Sequence, residues 1–167
     1  MARRILVPLD GSPGSETIVD ALESLDLTAG AALILLHTVM PSIAPTMAGP
    51  GQMVGPTVLP YDVYEAGREQ ALRYLEQVAA RLESRGLACE CEVREGPPAE
   101  TIIKAQADLG ADLVAMATHG RSGLGRLFLG SVAEAVVGHV PVPVLVTRLP
   151  DEPDDEDGRG AGADQGA

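Results

Sequence analysis

Residues 112–146 decide the fold, and they read DLVAMATHGRSGLGRLFLGSVAEAVVGHVPVPVLV. Residues 113–117 form an apolar run of strand length, and a glycine-rich loop follows over residues 118–129. Gly130 and Ser131 then open a predicted helix, whose N-terminus presents unpaired backbone N–H groups and partial positive charge. The stretch therefore predicts a site for an anion, above all for a phosphate.

The glycines of this loop do not match the common phosphate-binding motifs. Gly120 and Gly125 have the spacing of a Walker A motif, but residues 126–127 are Arg-Leu instead of lysine followed by serine or threonine. The same spacing recurs from Gly125 to Gly130, again without the lysine. The dinucleotide pattern Gly-x-Gly-x-x-Gly also fails, because Phe128 occupies the position of the third glycine.

Composition and charge favour one globular domain that binds neither nucleic acid nor membrane. A chain of 167 residues with 46% hydrophobic residues can bury a sizeable core. The net charge of −12 makes nonspecific binding to nucleic acid or to anionic membrane unfavourable. No apolar run approaches the length of a membrane span, and the first residues lack the pattern of a signal peptide. We therefore expect a cytoplasmic protein.

A change in composition predicts a domain boundary near residue 149. Residues 150–167 contain seven acidic residues and one arginine, the rest being mainly Gly and Ala, so they cannot bury a core. We expect a domain over residues 1–149 and an acidic disordered tail over residues 150–167. The two cysteines, Cys89 and Cys91, lie two positions apart in an alternating segment and are expected to be free thiols that pack as small apolar residues.

The hydrophobic periodicity predicts alternating strands and helices. Apolar runs of strand length and helical patterns alternate along the chain, which indicates an α/β fold with a parallel sheet and helices on both faces. Residues 40–60 are rich in Pro, Gly and Met, have no periodicity, and predict a long mobile loop or lid. The predicted strands are residues 4–9, 31–38, 88–94, 113–117 and 142–147, and the predicted helices are residues 13–27, 61–85, 99–109 and a fourth from residue 131.

Three segments resemble the universal stress protein family. Gly120, nine intervening residues and Gly130-Ser131 resemble the family's nucleotide loop, whose form is Gly-x-x-Gly, nine residues, Gly-Ser/Thr. Residues 5–12 (ILVPLDGS) and 35–39 (LLHTV) are similar to its first and second strands. One departure is Ala117, which stands where the family has its first loop glycine. A methyl group there adds bulk beside a phosphate or demands a changed backbone angle.

The resemblance implies a Rossmann-like fold of the adenine nucleotide alpha hydrolase type, with five parallel strands in the order 3-2-1-4-5. In such sheets, ligands bind beyond the carboxyl ends of the strands where the order reverses. The implied ligand is ATP, with Mg²⁺ held through Asp10, and the implied assembly is a homodimer through the fifth strand, residues 142–147. The implied nucleotide-binding residues are Pro8, Leu9, Asp10, Val39, Met116, Ala117, Gly120, Arg121, Gly130, Ser131 and Val132.

Each candidate side chain also has a structural explanation. Gly120, Gly130 and Ser131 can serve turns and a helix cap, although the surrounding pattern favours phosphate binding. Asp10 can form an Asx turn at a helix entry, or it can contact ribose, adenine or a divalent cation. Arg121 can neutralise phosphate charge or project into solvent.

The sequence contains binding elements but no evident catalytic set. His119 lies in the glycine-rich loop without an evident carboxylate to orient it, which favours a simple loop histidine. No Ser-His-Asp set, carboxylate pair or metal-spaced cluster is evident. We therefore expect at most weak ATPase activity and no prosthetic group.

Three functions are compatible with these observations. The first is a cytoplasmic ATP-binding stress-response protein that acts as a nucleotide sensor or a very slow hydrolase. The second is a dimeric scaffold or partner-binding module on the same fold that no longer holds ATP, and Ala117 is the residue in its favour. The third, a nucleotide-dependent transferase or electron-transfer protein, is disfavoured because the Walker lysine and a catalytic set are absent.

Overall fold

The structure is a computed structural model that describes residues 3–40, 43–47, 53–58, 61–118 and 129–148, with backbone alone at 43–47, 53–58 and 61–62. Seven strands and four helices follow one another within these residues. Their bounds are β1 Arg3–Pro8, α1 Pro13–Ser24, β2 Ala31–Val39, β3 Ile43–Met47, β4 Met53–Val58, α2 Tyr61–Glu83, β5 Ala88–Glu95, α3 Pro98–Leu109, β6 Leu113–Thr118, α4 Ser131–His139 and β7 Val144–Arg148.

Five of the strands form one parallel sheet in the order β5-β2-β1-β6-β7. Apart from β3 and β4, this order is the predicted 3-2-1-4-5, so the predicted fold class is confirmed. The order reverses between β1 and β6, because the chain first builds outward from β1 to β2 and β5 and then returns to the other side of β1. A crevice at the carboxyl ends of β1 and β6 follows from this reversal.

The prediction of a long loop over residues 40–60 is wrong. Part of this segment forms an antiparallel hairpin, in which Ile43 pairs with Val58 and Met47 with Met53. The ladder is irregular between Ala44 and Thr46, around a proline that lacks the N–H of a ladder donor. The prolines and glycines of this segment interrupt the alternation of apolar and polar residues by which a strand is recognised. Both short strands were therefore missed in the sequence. Lid movement of the segment stays a prediction.

The other predicted elements differ from the structure only at their ends. α1 ends at Ser24, three residues before its predicted end, and α2 ends at Glu83, two residues early. The last strand begins at Val144 and not at residue 142, and Pro143 immediately precedes it. Proline lacks a backbone N–H, so it cannot donate to the ladder with β6. None of the helices in the described part of the chain combines the length and apolar character needed to cross a membrane.

The central strands are buried on both faces. One face of the sheet packs against α1 and α2, where Ile18, Leu22, Leu75 and Val78 cover strand residues such as Leu35. The opposite face packs against α3 and α4, and its core members are Leu6, Ile34, Leu36, Ile102, Ala105, Ala111, Val114, Met116, Ala133 and Val136. Helices therefore cover both faces, as the continuous apolar runs predicted.

The two cysteines lie on β5, an edge strand of the sheet. Cys89 and Cys91 are free, half-buried, and packed against the cluster beneath α1 and α2. Burial raises the pKa of Cys89 to about 11 and also raises that of Cys91. Both therefore remain protonated at neutral pH and behave as small apolar groups.

The turn between β5 and α3 gives a stability prediction. Gly96 has φ +129°, and a Cβ built there would lie 2.8 Å from Oγ1 of Thr101, a buried residue. We expect Gly96→Ala to lower the free energy of unfolding by about 2–3 kcal/mol, because it adds backbone strain and a collision. Urea denaturation followed by circular dichroism measures this change.

The matched control is Gly110→Ala at the end of α3. Gly110 has φ +61° but nothing within 4 Å of a built Cβ. Alanine there would therefore add only the strain of a positive φ, without a collision. We expect a loss of about 1 kcal/mol there. Equal losses for the two variants would contradict the proposed collision with Thr101.

Candidate functional site

A cavity of about 270 Å³ opens at the carboxyl edge of the sheet, where the strand order reverses. This volume is slightly below the range for small-molecule sites, about 300–1,000 Å³. The strands β1, β2 and β6 contribute their ends, α4 its first turn, and α1 and α3 residues near their N-termini. The lining residues are Pro8, Leu9, Asp10, Ser15, Leu36, Thr38, Pro98, Ile102, Met116, Ala117, Thr118, Gly130, Ser131, Val132 and Ala133.

The first turn of α4 supplies hydrogen-bond donors to this cavity. Gly130 is the N-cap, and it has no side chain to cap the helix. The N–H of Glu134 donates to the carbonyl of Gly130 at 2.9 Å. By helix geometry, the N–H groups of Ser131, Val132 and Ala133 have no intrahelical acceptor, and all three residues line the cavity. Their donors and the helix dipole make this end of the cavity suitable for an anion.

A hydrogen bond ties α4 to the sheet at this point. The backbone N–H of Gly130 donates to Oγ1 of Thr118, the last residue of β6, at 3.2 Å. Thr118 is only 7% exposed, so water does not compete strongly for its hydroxyl group. The bond therefore places the N-terminus of α4 beside the end of β6.

Asp10 follows β1 and organises the entry to α1. Its Oδ1 accepts hydrogen bonds from the backbone N–H of Ser12 at 2.9 Å and from the Ser12 hydroxyl at 2.6 Å. The Ser12 Oγ in turn caps α1 by accepting from the N–H of Ser15, and Pro13 occupies the first turn of the helix. The Asx-turn role of Asp10 is thus present in the structure. Because the exposed Asp10 also lines the cavity, this role does not exclude contact with a ligand.

His37 supports the cavity wall from behind. Its Nδ1 lies 2.8 Å from the carbonyl oxygen of Leu9, a distance that requires the proton on this nitrogen for a hydrogen bond. The ring packs edge-to-face on Tyr74 at 6.0 Å between centroids. The Tyr74 hydroxyl donates to Oε1 of Glu16 at 3.1 Å, and burial raises the pKa of Tyr74 to about 12. These contacts give His37 a structural role.

The structure brings eight of the eleven predicted site residues to one cavity. Gly120 and Arg121 lie outside the described residues, as do His119 and Arg126. Val39 is described, but it does not line the cavity, and its carbonyl accepts the N–H of Gly96 at 3.0 Å. The predicted residues that line the cavity are Pro8, Leu9, Asp10, Met116, Ala117, Gly130, Ser131 and Val132.

Ala117 lies in regular strand backbone, in register with Thr147 of β7. Its φ is negative, so in this structure the position does not need the freedom of a glycine. Its side chain packs against the cluster beneath α1 and α2, whereas α4 covers the opposite face of the sheet. The methyl group therefore lies on the face away from the free donors of α4.

Seven lining residues were not among the predicted ones: Ser15, Leu36, Thr38, Pro98, Ile102, Thr118 and Ala133. Thr38 and Thr118 stand at strand ends, and the rule that ligands bind beyond the carboxyl ends of strands could have singled them out. Pro98 and Ile102 come from α3, whose position over the crevice follows only from the three-dimensional packing. Nothing in the local sequence indicates that these two residues form an apolar wall of the cavity.

Few ionisable side chains line the described part of the cavity. Asp10 is the single lining residue, among those described, that carries a carboxylate, imidazole, amine or guanidinium group. Within the same described ranges, no three His, Cys, Asp or Glu side chains are grouped so as to hold a metal ion. The arrangement is therefore suited to binding through backbone donors and apolar walls.

The fold and this cavity define a doubly wound α/β protein with a small-molecule site at the reversal of strand order. The sequence pattern of the universal stress protein family matches residues 1–148, and the chain belongs to that family. A relative, universal stress protein MJ0531 of Methanocaldococcus jannaschii, is 31% identical over 150 residues, which cover 89% of this chain and 83% of the relative. The family resemblance of the sequence motifs is thereby confirmed.

Solved structures support the same fold. A universal stress protein family member from Burkholderia pseudomallei is 29% identical, with a TM-score of 0.61, and the match covers 87% of this chain and 96% of that one. A family member from Arabidopsis thaliana, solved with AMP bound, has a TM-score of 0.59 at 19% identity. That match covers 93% of this chain and 97% of the Arabidopsis chain, and at this identity it shows the fold alone.

Proposed function

We propose that this protein binds ATP in the cavity between β1, β6 and α4 and acts in the cytoplasm as a nucleotide sensor or a very slow hydrolase in stress response. One observation carries the proposal. The uncapped first turn of α4 directs the free N–H groups of Ser131, Val132 and Ala133 to a cavity at the strand reversal. Phosphate is the anion that such donors bind most commonly in α/β proteins.

The remainder of the cavity wall suits the base and sugar of a nucleotide. Leu36, Ile102 and Met116 provide apolar surface, and Thr38 adds a hydroxyl-bearing residue to the wall. A nucleotide needs both environments, since its base is largely apolar on its faces and its phosphates are charged. The AMP bound to the Arabidopsis family member supports an adenine nucleotide as the ligand class.

The small number of ionisable side chains in the described part of the cavity supports slow hydrolysis of ATP. Hydrolysis of ATP needs a group that orients or deprotonates water and cations that neutralise the developing charge. Among the described lining residues, Asp10 is the one carboxylate, and its Oδ1 already accepts two hydrogen bonds from Ser12. Asp10 is the group that would hold Mg²⁺ with the bound nucleotide.

The first prediction of this proposal concerns the N-cap of α4. Gly130 has φ −54° and ψ 152°, a backbone conformation that aspartate adopts readily at an N-cap. In Gly130→Asp, the carboxylate should cap the free N–H groups and repel phosphate. We expect the affinity for Mg-ATP, measured by isothermal titration calorimetry, to fall roughly 10- to 100-fold, since charge-assisted hydrogen bonds contribute about 1.5–3 kcal/mol.

Stability measurements and a neutral variant separate binding from folding. Because aspartate is a good N-cap, Gly130→Asp should unfold at the same urea concentration as the natural chain or slightly above it. Gly130→Asn offers a similar cap without the charge, so its loss of affinity should be smaller. Undiminished affinity for Mg-ATP in the aspartate variant would place the phosphates elsewhere.

A second candidate function is a dimeric scaffold or partner-binding module that has lost the nucleotide, with Ala117 as its supporting feature. Ala117 lines the cavity, and crowding by its methyl group would be the reason for a lost nucleotide. If this crowding prevents binding, the natural chain should show no calorimetric signal with millimolar Mg-ATP, and Ala117→Gly should restore one. Because the methyl group lies on the face away from α4, we expect Ala117→Gly to change the affinity by less than about threefold.

We also infer a homodimer that pairs through β7. Val144–Arg148 is an edge strand whose first four side chains are only half-buried, and exposed apolar edges are usually covered or paired. Sedimentation velocity at micromolar concentration should therefore give twice the 17.3 kDa mass of the chain. A single monomeric species over this concentration range would contradict the inferred dimer.

A further inference from the structure

We propose that His37 is a positioning residue for nucleotide binding, because its Nδ1–H group holds the peptide between Leu9 and Asp10 in the orientation that the ligand needs. The proposal rests on the proposed function, since it concerns the wall of the same cavity. Leu9 and Asp10 line that cavity, whereas His37 stands behind them and is not a lining residue. Its effect on the ligand is therefore exerted through these two residues.

The carbonyl of Leu9 lies just beyond the paired part of β1. The register between β1 and β2 ends with Pro8 opposite Leu36. The N–H of Leu9 still donates to the carbonyl of Leu36 at 2.8 Å, and Nδ1 of His37 lies 2.8 Å from the carbonyl oxygen of Leu9. Leu9 is only 3% exposed, so water has little access to this carbonyl. The imidazole thus supplies a donor at the point where the register ends.

Both polar groups of the peptide between Leu9 and Asp10 have partners. The carbonyl of Leu9 accepts from His37, and the N–H of Asp10 donates to Oγ of Ser15 at 3.4 Å. A peptide unit is planar, so partners on its two edges fix the rotation of the whole unit. The direction of the Asp10 side chain therefore depends on His37 as well as on the hydrogen bonds from Ser12.

The ring of His37 is itself held in place by its neighbours. It packs edge-to-face on Tyr74 of α2, with 6.0 Å between the ring centroids. The Tyr74 hydroxyl donates to Glu16 of α1, and Glu16 also pairs with Arg81 of α2. Cε1 of His37 lies 3.9 Å from the position that a Cβ of Gly11 would take, which places the ring beside the turn after β1.

Loss of this donor should weaken binding although no atom that lines the cavity is removed. A poorly hydrated carbonyl without its donor is costly, so the peptide gains a reason to rotate towards another partner. The ligand would then have to restore the orientation of Asp10 on binding, and this ordering cost lowers the affinity. The net contribution of one hydrogen bond corresponds to roughly tenfold in an equilibrium constant.

The experiment compares His37→Leu with His37→Asn by isothermal titration calorimetry with Mg-ATP. Leucine has no donor, whereas the amide nitrogen of asparagine is joined to Cα through two carbon atoms, as Nδ1 is. We expect a loss of affinity of about tenfold for His37→Leu and of less than about threefold for His37→Asn. Equal losses in the two variants would show that packing and not the donor matters, and would overturn the proposal.

Urea denaturation of the same variants separates positioning from stability. A purely structural role would lower the free energy of unfolding of His37→Leu and leave the affinity of its folded form unchanged. We expect the affinity to fall in a protein that is folded under the conditions of the titration. An unchanged affinity of the folded leucine variant would refute the positioning role.

His139 provides the matched control. Its Nδ1 lies 2.7 Å from the carbonyl oxygen of Ala135, so His139→Leu removes a hydrogen bond of the same kind. His139 lies in the last turn of α4, however, whereas the first turn of that helix faces the cavity. The affinity of His139→Leu for Mg-ATP should stay within about twofold of the natural value. A loss as large as that of His37→Leu would indicate a general effect on the fold and contradict the inference.

A spectroscopic measurement tests the donor without any variant, so it decides the matter even if His37→Leu does not fold. The ¹⁵N chemical shifts of the imidazole show which ring nitrogen carries a proton. We expect a proton on Nδ1 of His37 in the natural chain, both with and without the nucleotide. An Nδ1 without a proton would place two acceptors against each other at the carbonyl of Leu9 and would overturn the proposal.

The outcomes distinguish this inference from the proposed function. Equal binding of Mg-ATP by the natural chain and His37→Leu removes the positioning role and leaves nucleotide binding intact. No calorimetric signal from the natural chain at millimolar Mg-ATP removes the proposed function, and the positioning role is refuted with it.

Discussion

The uncapped N-terminus of α4 is the constraint on which the site depends. An acidic chain with net charge −12 is an unfavourable host for phosphate, and Asp10 adds negative charge at the cavity. Backbone N–H groups resolve this conflict, because they provide donors and partial positive charge without a basic side chain. Gly130 leaves these donors uncapped, and its own N–H binds Thr118, so the helix start is held at the sheet.

The remainder of the fold fixes the position of this helix start. Both faces of the central strands are buried, which leaves β1 and β6 little freedom to move relative to each other. His37 holds the carbonyl of Leu9 from the α2 side, and Asp10 and Ser12 fix the turn that follows. At these strand ends the carbonyl of Leu36 accepts the N–H of Leu9, and the carbonyl of Leu9 accepts a hydrogen bond from His37, while the first turn of α4 keeps unpaired donors.

Much of this arrangement could be predicted from the sequence. The apolar runs identified all five strands of the main sheet, and the glycine pattern before Ser131 indicated the helix N-terminus that we propose as the anion site. The strand order required the family resemblance, because periodicity does not record which strands are neighbours. The hairpin Ile43–Met47 and Met53–Val58 was missed because its prolines and glycines conceal the alternation of short strands. Ile102 was missed because it lies on α3, and its position beside the cavity follows only from how that helix packs on the sheet.

The most direct test of the account is the response of backbone amide NMR signals to AMP and to adenosine. The account predicts that AMP shifts the amide signals of Ser131, Val132 and Ala133, whose N–H groups should donate to the phosphate. Adenosine should leave these three signals nearly unchanged while shifting those of the apolar wall, such as Met116. Shifts confined to the separate cavity lined by residues such as Arg94 and Lys104, with the first turn of α4 unaffected, would contradict the account.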